Sequence, residues 1–190
     1  MNARCIVSPL LTPEELRQCV PDSDWNAATC FTLRRQIEYL TWRALVYREL
    51  GTVRIGYDRA GGPVLEGSPL HIGVSHCSGY AAVAISENRC AVDIELRSRD
   101  FSRAAARYMT PQEAALDGGP LTRGIVWCAK ETLYKYARIP ALDLLHDLSV
   151  ERIELPDGEA AGFVAARIRN GEPKRLRLEL REDLILVCLL

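Results

Sequence analysis

The chain has 190 residues, 48% of them hydrophobic and 26% charged, with a formal net charge of −1. That is apolar enough for one full core or two small lobes and too apolar for disorder, and it offers no global field to nucleic acid or an anionic membrane. An anionic substrate must therefore be met by local cations. The seven cysteines (Cys5, Cys19, Cys30, Cys77, Cys90, Cys128, Cys188) are scattered without a C-x-x-C pair. This spacing argues against zinc and against a disulfide framework, and for reduced thiols in a cytoplasmic protein. The short apolar stretch among Arg4, Pro9 and Pro13 does not have the form of a signal peptide.

Thr12-Pro13-Glu14-Glu15 starts a short helix, with Thr as cap and Pro in the first turn. Ile37, Leu40, Ala44, Leu45 and Leu50 recur at helical spacing, which predicts one helix over about 27–50 ended by Gly51. Val53–Tyr57 and Pro63–Leu65 bracket a hairpin-like loop, Asp58-Arg59-Ala60-Gly61-Gly62. The uncharged run over 67–86 contains Pro69, His71 and His76, so it reads as two buried strands (Leu70–Ser75, Tyr80–Ser86) rather than a membrane span. Beyond it come short helices at Arg103–Met109 and Pro111–Leu116, and a longer helix over Thr122–Ala137. Four alternating segments follow: Leu148–Leu155, Gly162–Ile168, Arg175–Leu180 and Leu184–Leu189. Helices and antiparallel strands without regular βαβ alternation indicate an α+β fold.

Arg89–Leu96 carries the most specific signal. On a strand of period two, Asp93 and Glu95 share one face while Val92, Ile94 and Leu96 share the other. Two neighbouring carboxylates repel unless a cation lies between them, and a hard divalent ion with oxygen ligands is the economical answer; a solvent-facing pair is the plain alternative. Trp127, Glu131 and Lys135 form a stripe on the long helix, with Lys130 beside it. Read plainly, Glu131 and Lys135 are a surface pair worth about 0.3–0.5 kcal/mol. Together with Asp93 and Glu95, however, they give three carboxylates and two ammonium groups, the combination that phosphoryl transfer requires. Ser75 and His76 end a strand before a turn of small residues where a phosphate can approach backbone N–H groups. Adjacent strand residues point oppositely, which disfavours a Ser75–His76 nucleophilic pair.

Ser75-His76, Asp93-Ile94-Glu95 and Trp127-x-x-Lys130-Glu131-x-x-x-Lys135, in this order and spacing, resemble the 4'-phosphopantetheinyl transferases, and the length resembles their Sfp-type class. The resemblance covers Gly56–Lys135. It implies two pseudo-twofold-related α+β halves, 1–88 and 89–190, each with a small mainly antiparallel sheet and packed helices, in a monomer. It also implies Mg²⁺ bound by Asp93, Glu95 and Glu131, with coenzyme A as substrate. Lys135 and Lys130 would offset charge on the pyrophosphate, and Glu131 or a water it holds would be the base. Ser75 and His76 would contact the nucleotide, His76 near the 3'-phosphate. Arg43, with Arg34 and Arg35, matches a basic helix near the nucleotide, although a solvated helix face is the plain reading of all three. The acceptor would be an apo acyl or peptidyl carrier protein of fatty-acid, polyketide or peptide synthesis. Arg97, Arg99, Arg103 and Arg107 are the basic patch that such an acidic partner needs.

Glu113 has two readings, a further site glutamate of the family or the last residue of the capping box Thr110-Pro111-Gln112-Glu113. The chain departs from its relatives at Gly62-Pro63, where a lysine usually precedes the proline; Arg59 is the candidate substitute, and weaker or altered coenzyme A selection is expected. Cys77 and Ala91 replace a usual Ser or Thr and a usual Gly. Two rivals remain: a non-catalytic coenzyme A or carrier-binding module of the same fold, and a Mg²⁺-dependent pyrophosphate-bond hydrolase. The second lacks the glutamate-dense helix such hydrolases use.

Overall fold

The computed structural model describes residues 3–116, 119–157 and 161–190. Strand β1 (Arg4–Pro9) is followed by helices α1 (Pro13–Cys19), α2 (Asp22–Ala28) and α3 (Leu33–Leu50). The hairpin of β2 (Arg54–Tyr57) and β3 (Pro63–Glu66) leads to β4 (His71–Cys77), β5 (Tyr80–Ser86) and β6 (Ala91–Leu96). A 3-10 segment (Ser102–Arg107) and the single-turn α4 (Pro111–Ala114) precede α5 (Thr122–Ala137). The strands β7 (Leu148–Glu154), β8 (Gly162–Ile168), β9 (Lys174–Leu180) and β10 (Leu184–Leu189) complete the order.

The helix expected over 27–50 is in fact two. α2 stops at Thr29, and Thr32 starts α3 afresh by accepting a hydrogen bond from Arg35 N at 3.4 Å. A hydroxyl that can cap competes with helix continuation, and here it wins. β1 has little signal of its own; it is a strand because β5 pairs with it from Arg4↔Ile85 to Pro9↔Tyr80. α1 starts with the complete capping box at Thr12 and Glu15.

The fold is α+β, with antiparallel pairing in every sheet. Three strands run in the order β1-β5-β4 and five in the order β6-β10-β9-β8-β7. α3 packs Trp42, Leu45 and Val46 on Val83 and Ile85 of the smaller sheet, whereas α5 packs Ile125, Ala129 and Leu133 on Ile185 and Val187 of the larger. The residues turned away from these helices, among them Ala82, Ala84, Val92, Ile94, Leu186 and Cys188, make a third cluster shared by both sheets.

That arrangement brings β4 alongside β6. Cys90 Sγ reaches His71 O at 3.4 Å, and Ser75 Oγ reaches Asp93 Oδ1 at 2.9 Å, so the two edge strands run in the same direction. Gly73 makes the approach possible: a Cβ there would lie 2.7 Å from Ala91 Cα. All seven cysteines are free thiols, and among the described residues no helix is long and apolar enough to cross a membrane.

Candidate active site

The seam between β4 and β6, roofed by α5, forms one wall of a cleft of about 350 Å³. Ser75, His76, Asp93, Glu95, Glu131 and Lys135 all line it, so three distant segments of the chain converge there. Asp93 is buried at its centre. Its Oδ1 accepts from Ser75 Oγ at 2.9 Å and from Lys135 Nζ at 2.6 Å, and Lys135 also donates to Ser75 Oγ at 3.1 Å and Val92 O at 3.2 Å. Lys135 thus pairs with Asp93 across elements and not with Glu131 along its own helix. Ser75 is held further by Ile94 N at 3.3 Å, which makes it a positioning group for Asp93.

The carboxylate wall carries more negative charge than its immediate partners satisfy. Among the described residues Asp93 Oδ2 is buried without a conventional hydrogen-bond partner, with the Cys128 thiol also against this carboxylate. Burial, and then the neighbouring Asp93, push the Glu131 carboxyl above its ordinary value, while Lys135 and Arg99 pull it down. Glu95 pairs with Arg99, whose guanidinium also lies 4.9 Å from the Trp127 ring. An orphaned carboxylate oxygen beside two further carboxylates fits a hard divalent cation such as Mg²⁺. The three are not drawn into a ready-made cage, and among the described residues no three His, Cys, Asp or Glu side chains are so gathered. Lys135 and Arg99 meet the charge of Asp93 and Glu95 instead.

On the opposite side, His76 Nδ1 faces Glu38 Oε2 at 3.4 Å, and Nε2 touches Arg35 Nη1. Glu38 is buried and also receives Arg34 Nε at 2.9 Å. Burial lowers the His76 pKa below its ordinary value, with Arg35 and Lys135 adding to the effect and Glu38 opposing it. Ser75 and His76 do not end the strand as expected, since β4 continues to Cys77. Both residues line the cleft from within that strand.

Three expected residues lie elsewhere. Lys130 is fully buried, with Nζ 2.8 Å from Glu113 Oε1 and 2.7 Å from Tyr108 O. Its helix face meets α4 and β7, so it does not reach the cleft beside Lys135. Arg43 is neither a solvated nor a cleft residue: it is 1% exposed, with its guanidinium 3.7 Å from the Tyr39 ring and 4.1 Å from the Trp42 ring. It donates to Tyr57 Oη at 3.1 Å and lies 3.3 Å from Asp24 Oδ1. Its reach ends at Trp42 and Tyr57, and those two rings line the cleft. Arg59 is exposed on the rim of a neighbouring cavity. Glu113 completes the capping box with Thr110 and in addition pairs with Lys130 and accepts from Val150 N at 2.8 Å.

Glu38, Trp42 and Tyr57 were missed from sequence. Glu38 carried a partial signal, three and four residues beyond Arg35 and Arg34, but its burial did not show in that spacing.

The model of the 4'-phosphopantetheinyl transferase superfamily matches residues 89–186, just over half of the chain. The chain belongs to that superfamily. Members of this family transfer phosphopantetheine from coenzyme A to carrier proteins, typically with a divalent metal, so a transferase activity follows for this chain. The match contains Asp93, Glu95, Glu131 and Lys135, whereas Ser75 and His76 lie before it. No individual curated protein matches the sequence.

Proposed function

We propose that the protein is an Sfp-type, Mg²⁺-dependent transferase that moves 4'-phosphopantetheine from coenzyme A to a serine hydroxyl of an apo acyl or peptidyl carrier protein, a holo-[acyl-carrier-protein] synthase activity. The observation that carries this reading is the convergence of Asp93, Glu95 and Glu131 with Lys135 in one cleft faced by His76 and Arg35. Asp93, Glu95 and Glu131 would hold Mg²⁺, with the orphaned Asp93 Oδ2 as the first available oxygen. When bound, the ion neutralises and polarises the pyrophosphate.

The chain's own groups do the rest. Lys135 moves from Asp93 towards the pyrophosphate and offsets charge developing on the leaving group. Glu131, directly or through a water, accepts the proton of the carrier serine. The serine oxygen bonds to the pantetheine-side phosphorus, the bridging P–O bond breaks, and 3',5'-ADP leaves. His76 and Arg35 receive the nucleotide end, with Trp42 and Tyr57 as its aromatic wall. Such catalysis is mostly positioning and charge compensation.

Residues 1–88 and 89–190 form the two halves of a cytoplasmic monomer in this reading. The acidic carrier docks on the exposed arginines that follow β6, Arg97, Arg103 and Arg107. Arg99 contributes less, because Glu95 already engages it. Charge reversal at Arg103 and Arg107 should slow carrier modification and weaken its salt dependence.

Incubation with Mg²⁺, coenzyme A and an apo carrier protein, followed by weighing the carrier, tests the reading. Gain of one phosphopantetheine supports it. Nucleotide cleavage without carrier modification overturns it in favour of a hydrolase, and binding alone in favour of a non-catalytic module.

A further inference from the structure

Glu38 is a buried carboxylate among cations that are themselves partly exposed. It lies in the second turn of α3 and is 5% exposed, whereas the side chain of Arg34 is 71% exposed and that of Arg35 47%. A glutamate that served only an i,i+4 pair would stay in solvent with its partner and keep its hydration. Glu38 instead divides its two oxygens. Oε1 accepts from Arg34 Nε at 2.9 Å, and Oε2 turns towards the cleft, 3.4 Å from His76 Nδ1 and 3.7 Å from Arg35 Nη1.

The two ring nitrogens of His76 have unlike neighbours. Arg35 Nη1 touches Nε2, and a guanidinium can only donate, so Nε2 accepts and carries no proton. The ring proton is then on Nδ1, which faces an oxygen that can only accept while Glu38 is ionised. Glu38 and Arg35 thus fix one tautomer from opposite sides. They also fix its direction: Arg35 and His76 line the cleft, and Glu38 meets the ring on its Nδ1 side.

Charge decides how this ring responds to an anion. The charged groups facing the imidazole are Glu38 and Arg35 on α3, Lys135 on α5 and Asp93 on β6, and its partner on β5 is Ala81. In the free protein burial disfavours the imidazolium, Arg35 and Lys135 add to that, and Glu38 and Asp93 oppose it. Asp93 is already engaged by Lys135. A phosphate of charge about −1.5 to −2 draws Arg35 to itself, uncovers Nε2 and favours a proton there. The imidazolium then donates from both nitrogens, to the phosphate and to Glu38, in charge-assisted hydrogen bonds.

We infer that Glu38 is a positioning residue for the phosphate-receiving side of the cleft, holding His76 as the Nδ1–H tautomer in the free protein and as a doubly protonated donor once an anion is bound. This rests on the transferase reading above, in which His76 and Arg35 receive the nucleotide end of coenzyme A. Glu38 touches neither the ligand nor the reacting atoms. It acts through the ring, as a carboxylate does behind a histidine that ligates a metal or serves as a base.

The ring itself is the place to read this, since a phosphate whose second pKa is about 6 exchanges protons of its own. In nitrogen-15 NMR of the whole protein at neutral pH, His76 of the free wild type should carry a proton on Nδ1 only. Saturation with 3',5'-ADP should protonate both nitrogens. An Nε2–H tautomer in the free protein would overturn the inference, and this reading needs no variant to fold. Glu38→Gln should weaken 3',5'-ADP about tenfold in calorimetric titration and leave the bound ring neutral, whereas Glu38→Asp, which keeps the charge, should leave it protonated. In a His76→Gln background, Glu38→Gln should cost at most about twofold, because Glu38 acts through the imidazole. Equal losses in both backgrounds would mean that Glu38 only braces α3 and would overturn the inference, as would an unchanged affinity in Glu38→Gln. A wild type that neither binds 3',5'-ADP nor modifies a carrier refutes the transferase reading itself, and the inference with it. A wild type that transfers phosphopantetheine but keeps its imidazole neutral with 3',5'-ADP bound refutes only the role of Glu38.

Discussion

Lys135 Nζ lies 2.6 Å from Asp93 Oδ1, and this single ammonium group ties α5 to β6 and, through Ser75 Oγ at 3.1 Å, to β4. The pair has a structural and a chemical consequence that mutation separates. Lys135→Ala strands a buried carboxylate and should cost about 1–3 kcal/mol of stability in urea unfolding. Asp93→Asn combined with Lys135→Ala should recover most of that loss, because an amide tolerates burial better than an unpaired charge. Asp93→Asn alone should lower carrier modification by about a hundredfold or more, a typical loss for a charge-stabilising group. Transfer at the wild-type rate by Asp93→Asn would show the cation assignment to be wrong.

How far the site was legible follows from where each contact originates. Asp93 and Glu95 share a face by strand geometry alone, and β6 puts Val92, Ile94 and Leu96 in the opposite cluster as expected. β5, β8, β10 and α5 match their expected bounds because hydrophobic pattern and turn residues agree there. The break at Thr32 was not legible, because a capping hydroxyl can stand inside a helical repeat without interrupting its apolar period. Lys130 and Arg43 were misplaced for a tertiary reason. Lys130 reads as a companion of Lys135, and Arg43 as a solvated cation, until one knows that Glu113 and Tyr108 O, or Tyr39 and Tyr57, come to meet them.

The Lys130–Glu113 pair gives the sharpest test of the relocated lysine. Both groups are buried, so Lys130→Met leaves Glu113 uncompensated except for its hydrogen bonds from Thr110 N and Val150 N. The expected cost is about 3 kcal/mol, a fall of roughly 10 °C in Tm for a chain of this size. Lys130→Met with Glu113→Gln should regain much of it. A lysine acting in the cleft would behave differently, lowering kcat while the melting temperature stayed in place.

His76 should make stability depend on pH. Burial holds its folded pKa below the ordinary 6.5, so the unfolded chain binds more protons in the interval between the two values. The contribution is complete above the unfolded value and is lost as pH falls from about 6.5 towards the depressed folded one. His76→Gln should flatten this part of the Tm profile, and 3',5'-ADP should raise the imidazole titration followed by NMR. An imidazole titrating at or above 6.5 in the free protein would contradict the buried, cation-flanked environment.

Arg99 would compete with a metal for Glu95 under the proposed reading. The guanidinium pairs with the carboxylate and packs 5.0 Å from the Phe101 ring and 4.9 Å from the Trp127 ring, so it is held over the site rather than free in solvent. For Glu95 to serve as a ligand, that pair must open. An exposed pair of this kind is worth about 0.2–1 kcal/mol, so Arg99→Met should lower the Mg²⁺ concentration for half-maximal transfer by up to about fivefold. High salt, which already weakens the pair, should shrink the difference between variant and wild type. Glu95→Gln should raise the Mg²⁺ requirement, and Trp127 fluorescence should report the release of Arg99 on titration with the ion alone. A higher Mg²⁺ requirement in Arg99→Met would mean that the arginine orients Glu95 for the metal instead of occupying its place.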